Sequence, residues 1–263
     1  MEIMYRNTYK DQTVAIEGKE VWKVDGTAHT GKIGDGTYSV RITEESGKID
    51  INKMTDASAI IFKGLLKNLG VSEEDADTIA DSILDWRDSD DLTRLHGAES
   101  DYYQSLPNPY KAKNADFETL EELLMVKGMT PEILYGSNNK KGIIDFITIW
   151  SGTENINVSS APKEVLAALP NMTPEMADAI INYRKDKEIR DPQEIQGIVG
   201  GNFQAMAPYV STAGADTFSI DAFGSKENEK GVYAIRATVK LSTGTDDKTH
   251  TFVYYKSPVA IKQ

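Results

Sequence analysis

Hydrophobic positions along the chain repeat with a period of two near both ends and with a helical period of about 3.6 in the middle. The period-two runs predict β-strands at residues 14–16, 21–24, 37–42, 218–222, 232–239 and 249–255. Turn-forming residues separate these runs, at Gly26, Gly31, Gly34, Gly36, Gly224-Ser225 and residues 244–247. The pattern predicts one sheet to which both ends of the chain contribute.

Residues 50–212 carry helix start and stop signals instead. A capping oxygen precedes a proline at Thr130-Pro131, Thr173-Pro174 and Asp191-Pro192. Ser72 opens a capping-box-like segment ahead of an apolar helical stripe, and helix-ending glycines are expected at Gly70, Gly128 and Gly136. We therefore predict an α+β fold in which a helical domain is inserted into a β-rich one. A hairpin tip accommodates such an insertion because the chain ends lie close together there.

A short motif occurs twice, each time before a predicted helical hairpin. The clear copy comprises residues 156–162, 165–170 and 180–184, and the blurred copy comprises residues 49–52, 60–66 and 83–87. Paired hairpins of this kind are similar to helix-hairpin-helix modules, which bind DNA phosphates through glycine-bearing tips. The tips here, residues 68–72 and 170–174, have one glycine and none. The motif therefore favours a structural scaffold over a DNA site.

Charge and composition also disfavour nucleic acid. The net charge of the 263-residue chain is −12, and residues 73–101 contain eleven Asp or Glu against two Arg. Such a surface repels phosphate backbones and anionic membranes. Cysteine is absent, which excludes disulfides and thiolate chemistry. The apolar run at residues 143–150 is far shorter than the roughly 20 residues of a spanning helix, and no signal segment is visible.

Catalysis finds little support in the sequence. His29, His96 and His250 lie far apart, and no nucleophile elbow or Walker loop occurs. Gly34-Asp35-Gly36 lacks the strand–loop–helix context of a nucleotide fingerprint, so we interpret it as a turn. The aromatic residues Trp86, Tyr102, Tyr103 and Tyr110 are interpreted as core around an acidic loop. We predict a protein that is not an enzyme.

The acidic loop at residues 88–103 is the candidate site. Dense carboxylates need a cation or full solvation, and hard cations such as Ca²⁺ take oxygen ligands from such loops. Asp88, Asp90 and Glu99 fall at the first, third and twelfth positions of an EF-hand register. Leu92 and Thr93 occupy positions where a ligand and a glycine are expected, so the loop is not an EF-hand. The spacing leaves both a calcium site and a solvated loop open.

Several stretches together resemble minor pseudopilin K of the type II secretion system. They are residues 37–52, 85–90, 97–99, 101–103, 120–130 and 156–166. The order of these stretches is more specific than any one of them, because the Ile-Asn hairpin alone also occurs in DNA-uptake and repair proteins. The resemblance runs from about residue 37 to residue 184 and is looser beyond.

The resemblance implies a pilin-like domain, a helix stub plus an antiparallel sheet, at residues 1–48 and 213–263. An all-α domain with two helix-hairpin-like (SAM-like) repeats is then expected at residues 49–212. Family members begin with an apolar helix that anchors them in the inner membrane and contacts other pseudopilins. Here residues 2–12 would be the lower end of that helix, and the rest of the chain a periplasmic part. The early sheet, residues 18–36, matches no motif of the family.

The resemblance also implies a role and a ligand. Such proteins sit at the pseudopilus tip with the I and J minor pseudopilins, where a bulky inserted domain would block another subunit from stacking above. Calcium is expected in the insert, with Asp88, Asp90, Asp91 and Glu99 as ligands and Asp101 as a weaker candidate. Two alternatives remain: a nucleic-acid-binding protein that uses the tandem hairpins, and a calcium-dependent extracellular adhesion module.

Overall fold

The computed structural model of the chain describes residues 22–137, 140–187, 189–226, 232–242 and 249–257. The chain divides into two compact units, Met1–Glu45 with Gly214–Gln263, and Ser46–Ala213. The boundaries predicted from the sequence, after residues 48 and 212, lie close to these divisions. The predicted helix at residues 2–12 and the predicted strand at residues 14–16 lie outside the described residues.

The described residues form nine strands, eight α-helices and six short 3₁₀ helices. The strands are β1 (Asp25–Ile33), β2 (Gly36–Glu44), β3 (Ile49–Asp50), β4 (Ile147–Thr148), β5 (Ile156–Asn157), β6 (Val210–Ser211), β7 (Thr217–Lys226), β8 (Val232–Leu241) and β9 (His250–Lys256). The α-helices are α1 (Ala59–Asn68), α2 (Glu73–Arg87), α3 (Ser100–Gln104), α4 (Pro131–Tyr135), α5 (Lys163–Leu166), α6 (Pro174–Asp186), α7 (Gln196–Val199) and α8 (Phe203–Met206). The 3₁₀ helices are Glu45–Gly47, Leu120–Met125, Ile143–Asp145, Pro192–Ile195, Gly200–Asn202 and Ala207–Tyr209.

The first unit contains a five-stranded antiparallel sheet in the order β1-β2-β7-β8-β9. Strand β2 precedes the second unit, and β7 follows it. Strand β2 pairs with β7 along its whole length, from Gly36 opposite Lys226 to Glu44 opposite Phe218. The prediction that both ends of the chain rejoin in one sheet is therefore confirmed.

A small apolar core covers one face of this sheet. Ile42, Phe218, Val239 and Leu241 are buried together. These residues share a face because Ile42 belongs to the alternating series of β2, and paired positions of adjacent strands point to the same side. The period-two pattern of residues 37–42 therefore gives the correct face as well as the correct strand.

Three details predicted for the sheet are wrong. The turns predicted at Gly26 and Gly31 lie inside β1, where Gly26 falls in a register shift and Gly31 pairs with Tyr38 of β2. The strand predicted at residues 21–24 does not form in its described part, because β1 begins at Asp25. The turn predicted at Gly224-Ser225 lies inside β7, which hydrogen-bonds with β2 and β8 on its two sides. Pairing on both sides overrides the local turn preference. The turn at Gly34-Asp35 is confirmed, since it joins β1 to β2 and Gly34 has a φ of +61°.

The second unit is mainly helical, and its helices begin where the sequence predicts. Ser72, Thr130 and Thr173 each accept a hydrogen bond from the backbone N–H three residues further on. Asp191 caps a 3₁₀ helix rather than an α-helix. The unit also contains two parallel strand pairs, β3 with β4 and β5 with β6. The prediction of an all-α domain is wrong in this respect, because the buried Ile-Asx segments need backbone partners from other parts of the chain.

The repeated motif coincides with these strand pairs. Each copy begins with a strand, β3 or β5, and both strands end in the same side-chain turn. Asp50 Oδ1 accepts a hydrogen bond from the N–H of Asn52 at 2.9 Å. Asn157 Oδ1 accepts one from the N–H of Ser159 at 3.0 Å. The Asx residue of the motif therefore turns the chain out of the strand.

The arginine that closes each copy returns to that turn. Arg87 in α2 donates to the carbonyl oxygen of Met54 at 2.8 Å, and Arg184 in α6 donates to that of Ala161 at 2.7 Å. Each guanidinium also donates to a second carbonyl in the same turn. Charge-assisted bonds of this kind are stronger than neutral ones. The motif therefore fastens the end of a helical hairpin to its entry strand.

Candidate metal centre

Acidic side chains meet where helix α2 ends and helix α3 begins. Asp85 lies in the last turn of α2, Asp88 is its C-cap residue, and Glu99 is the N-cap residue of α3. One carboxylate oxygen from each of the three lies within 4.8 Å of the others. Asp85 and Glu99 are buried, with exposures of 0% and 3%, and Asp88 is half-buried. We call Asp85, Asp88 and Glu99 the carboxylate cluster.

Arg94 compensates part of the charge of this cluster. Its Nη1 donates to Asp85 Oδ1 at 2.7 Å and to Asp88 Oδ2 at 2.6 Å. Its Nε and Nη2 donate to the two carboxylate oxygens of Asp56, at 2.9 and 3.3 Å. These bonds, that to Asp56 first, raise the pKa of Arg94. The guanidinium therefore stays charged between Asp56 and two members of the cluster.

Glu99 is the member of the cluster that lacks compensation. Neither Oε1 nor Oε2 of Glu99 has a hydrogen-bond partner among the described residues, and the same holds for Asp88 Oδ1. Burial, followed by repulsion from Asp85 and Asp88, raises the pKa of Glu99 to about 7. Burial also raises the pKa of Asp85, although Arg94 opposes that shift. Buried acceptors without donors are costly, so this arrangement needs a proton or a cation.

A divalent cation with oxygen ligands fits this donor set. Three carboxylates and one guanidinium leave two uncompensated negative charges when all are ionised. Carboxylate oxygens are the ligands that Ca²⁺ prefers, and three buried oxygens here lack donors. The residues Asp85, Asp88 and Glu99 could therefore supply part of a calcium coordination shell.

The loop between Asp88 and Glu99 is held in place by backbone contacts and by a lysine. A side chain at Gly97 would overlap Asp85 Oδ2, so only glycine brings the loop this close to α2. Lys127 donates to the carbonyl oxygens of His96 and Gly97, at 3.3 and 2.9 Å. Residues 97–99 and 120–130, two of the stretches that carry the family resemblance, therefore meet beside the cluster.

The aromatic residues pack behind the cluster as core. The rings of Trp86 and Tyr103 meet edge-on with their centroids 5.1 Å apart, and Tyr110 stacks on Tyr103 at 5.2 Å. Trp86 and Tyr103 are buried, with exposures of 2% and 0%. The interpretation of the aromatic residues as core is therefore confirmed for Trp86 and Tyr103, and it is wrong for Tyr102, which is exposed.

The predicted ligands divide into two groups. Asp88 and Glu99 lie in the carboxylate cluster. Asp90, Asp91 and Asp101 do not, and all three are exposed. Asp90 instead accepts a hydrogen bond from the N–H of Leu92 at 2.8 Å. A role for Asp90 and Asp91 in metal binding therefore stays a prediction.

The ligands predicted from the sequence do not include Asp85, although the sequence contains a signal for it. Asp81, Asp85 and Asp88 follow one another at spacings of four and three residues, which places them on one side of a helix. The EF-hand register begins at Asp88 and counts forward, so it does not include the helix that precedes the loop. The helical spacing, read backward from Asp88, identifies Asp85.

The tandem hairpins do not present their arginines for phosphate binding. Arg87 and Arg184 both donate to backbone carbonyls within their own repeat. Both side chains are thereby engaged in the fold.

Among the described residues, no helix is long and apolar enough to cross a membrane.

The fold and the site define a two-unit α+β protein, in which a helical unit with a buried carboxylate cluster interrupts an antiparallel sheet. Residues 43–135 match the family model of type II secretion system (T2SS), protein K. The chain is 33% identical over 167 residues to type II secretion system protein K of Pectobacterium carotovorum subsp. carotovorum, which covers 61% of this chain and 50% of that protein. The resemblance of the sequence to the protein K family is confirmed.

Two further comparisons agree. The chain is 29% identical over 161 residues to type II secretion system protein K of Pseudomonas aeruginosa, covering 58% of this chain and 46% of that protein. The chain thus spans about half the length of these curated relatives. A chain of the GspK-GspI-GspJ complex of the enterotoxigenic Escherichia coli Type 2 Secretion System superposes with a TM-score of 0.65 and 14% identity, over 89% of this chain and 84% of that one. This likeness shows the fold.

Proposed function

We propose that the chain is the periplasmic part of a minor pseudopilin of the type II secretion system. In this role it begins or caps the pseudopilus together with the I and J minor pseudopilins and has no catalytic activity. The observation that carries the proposal is the likeness in fold, over 89% of the chain, to a chain of a complex named for GspK, GspI and GspJ. The match of residues 43–135 to protein K supports it.

Association with the I and J subunits tests this proposal. The chain is mixed with the soluble parts of I and J from the same secretion system in calcium-containing buffer and analysed by gel filtration. We expect one peak that contains all three proteins and elutes earlier than each protein alone and earlier than an I–J mixture. Three separate peaks at micromolar concentration, with each protein folded by circular dichroism, would contradict the proposal.

The membrane anchor is tested independently of assembly. A pseudopilin requires an apolar helix after a prepilin cleavage site, ahead of the residues that match the family. The gene should therefore encode such a helix upstream of the codon for residue 1. A gene that begins with a cleavable signal peptide instead would favour the calcium-dependent adhesion module over a filament subunit.

We further propose that the second unit binds calcium through Asp85, Asp88 and Glu99. When bound, the ion would neutralise the cluster and join the end of α2 to the start of α3. The unpartnered oxygens of Glu99 and Asp88 support the proposal. A ligand that binds only the folded state raises the melting temperature, so calcium should shift the melt by several degrees relative to EDTA. Equal melting temperatures in the two buffers would refute this part alone.

A further inference from the structure

Arg94 contacts the same carboxylates that a cation in the carboxylate cluster would bind. One nitrogen, Nη1, bridges Asp85 and Asp88 at 2.7 and 2.6 Å. Asp85 and Asp88 are two of the three members of the carboxylate cluster, whereas the side-chain oxygens of the third member, Glu99, have no hydrogen-bond partner among the described residues. The guanidinium therefore compensates Asp85 and Asp88 and leaves Glu99 as the uncompensated acid.

Arg94 also has a second acceptor outside the cluster. Its Nε and Nη2 bond to Asp56, which precedes helix α1. The Asp56 side chain is 75% exposed. A guanidinium that gave up its Nη1 bonds could therefore keep the fork with Asp56 without leaving a buried charge unpaired.

We infer that Arg94 is an intramolecular counter-ion that competes with the divalent cation for Asp85 and Asp88, and that this exchange sets the affinity of the site. The inference rests on the calcium site proposed above. Two like charges within a few ångströms repel strongly in a half-buried setting, so cation binding requires Arg94 to withdraw from the cluster. The site is then weaker than its three carboxylates alone would make it.

The opposite role for Arg94 is to orient the ligands from behind the metal, as outer-shell partners commonly do. The two roles predict opposite signs when the charge is removed. If Arg94 competes, Arg94→Gln tightens cation binding. If Arg94 orients the ligands, Arg94→Gln weakens it, because Asp85 and Asp88 lose the donor that holds them.

The test is a calorimetric titration of CaCl₂ into the chelator-treated chain of residues 1–263. Arg94→Gln should bind calcium about tenfold or more tightly than the unchanged chain, since one positive charge beside a divalent cation is removed. Arg94→Lys keeps the charge and loses the planar fork, so its affinity should stay within about threefold of the unchanged chain. Lys67→Gln changes the net charge equally on the exposed face of α1 and should leave the affinity unchanged.

A melt in EDTA supplies the second readout. Arg94→Gln should melt lower than the unchanged chain in EDTA and should gain more from calcium, because Asp85 and Asp88 lose the guanidinium that compensates their charge and the ion replaces it. Equal or weaker calcium binding by Arg94→Gln would overturn the inference while the calcium proposal stands. Binding by Arg94→Gln but not by the unchanged chain would support it. Binding by neither would overturn both, and the association with I and J would remain a separate result. If Arg94→Gln fails to fold, Arg94→Lys decides, because a tenfold loss of its affinity would overturn competition by charge.

Discussion

Glu99→Gln should make the metal-free protein more stable at alkaline pH. The same substitution should reduce the stabilisation that the protein gains from calcium. The pKa of Glu99 is raised from 4.5 to about 7 in the folded state. A raised carboxyl pKa means that the folded state binds the proton more tightly than the unfolded state. The contribution of Glu99 to the free energy of unfolding is therefore fully present below about pH 4.5 and is lost as the pH rises through about 7.

The size of this effect follows from the shift. About 2.5 pH units at about 1.4 kcal/mol each give a loss of roughly 3 kcal/mol above pH 7 in the absence of metal. Glutamine carries no charge and has nearly the same shape, so it should recover most of that loss. A change of roughly 3 kcal/mol corresponds to about 6–12 °C in melting temperature for a unit of this size. The raised pKa of Asp85 acts in the same direction and remains in both proteins.

Calcium should remove most of the difference in stability between the two proteins. At a free concentration of about one hundred times the dissociation constant, the ion stabilises the unchanged chain by about 2.7 kcal/mol. Glu99→Gln lacks one of the three carboxylates and should gain much less. In EDTA at pH 8 the variant should therefore melt higher than the unchanged chain, whereas in calcium its advantage should largely disappear.

The assay is a set of thermal melts followed by circular dichroism at pH 5 and pH 8, each with EDTA and with calcium. Glu132→Gln is the matched control, because it makes the same chemical change at an exposed residue of helix α4, outside the acidic loop. It should change stability by less than about 0.5 kcal/mol in every buffer. A Glu99→Gln variant that melts lower than the unchanged chain in EDTA at pH 8, or that gains as much from calcium, would refute the reasoning.

Three other predictions concern the loop, the repeats and the alternative function. Gly97→Ala should lower the free energy of unfolding by about 1–3 kcal/mol and weaken the calcium response, because the added methyl group would overlap Asp85 Oδ2. Gly201→Ala is the control and should be nearly neutral by chemical denaturation, because Gly201 faces open space. Arg184→Gln should cost roughly 2–3 kcal/mol in the same assay, since two buried carbonyls lose a charged donor, and the exposed Lys185→Gln next to it should not. Fluorescence anisotropy with labelled duplex DNA should show no binding at about 50 mM salt, and an affinity that rises steeply as salt falls would instead support the nucleic-acid alternative.

Many elements of the fold can be predicted from short segments of the sequence. A capping hydroxyl before a helix needs only its own neighbours, which is why Ser72, Thr130 and Thr173 marked helix starts correctly. Strand β2 was predicted for a similar reason, because alternation reports a half-buried strand without knowledge of its partner. The order of several such segments was specific enough to indicate the protein K family.

The errors occurred where distant residues decide the outcome. Gly224-Ser225 has the composition of a turn, but β2 and β8 pair with it from both sides. The all-α expectation failed because Ile49 and Ile156 find parallel partners about 98 and 54 residues away, at Ile147 and Val210. A prediction from local sequence cannot identify partners that lie so far apart in the chain.

The candidate site divides in the same way. The sequence alone located the acidic loop and two members of its carboxylate cluster, Asp88 and Glu99, because charge density is a property of the chain itself. Only the tertiary structure added Asp85 from the helix before the loop and brought Arg94 between Asp85 and Asp88. Only burial left Glu99 without a donor. Charge is fixed by composition, but the cost of that charge depends on what the fold places around it.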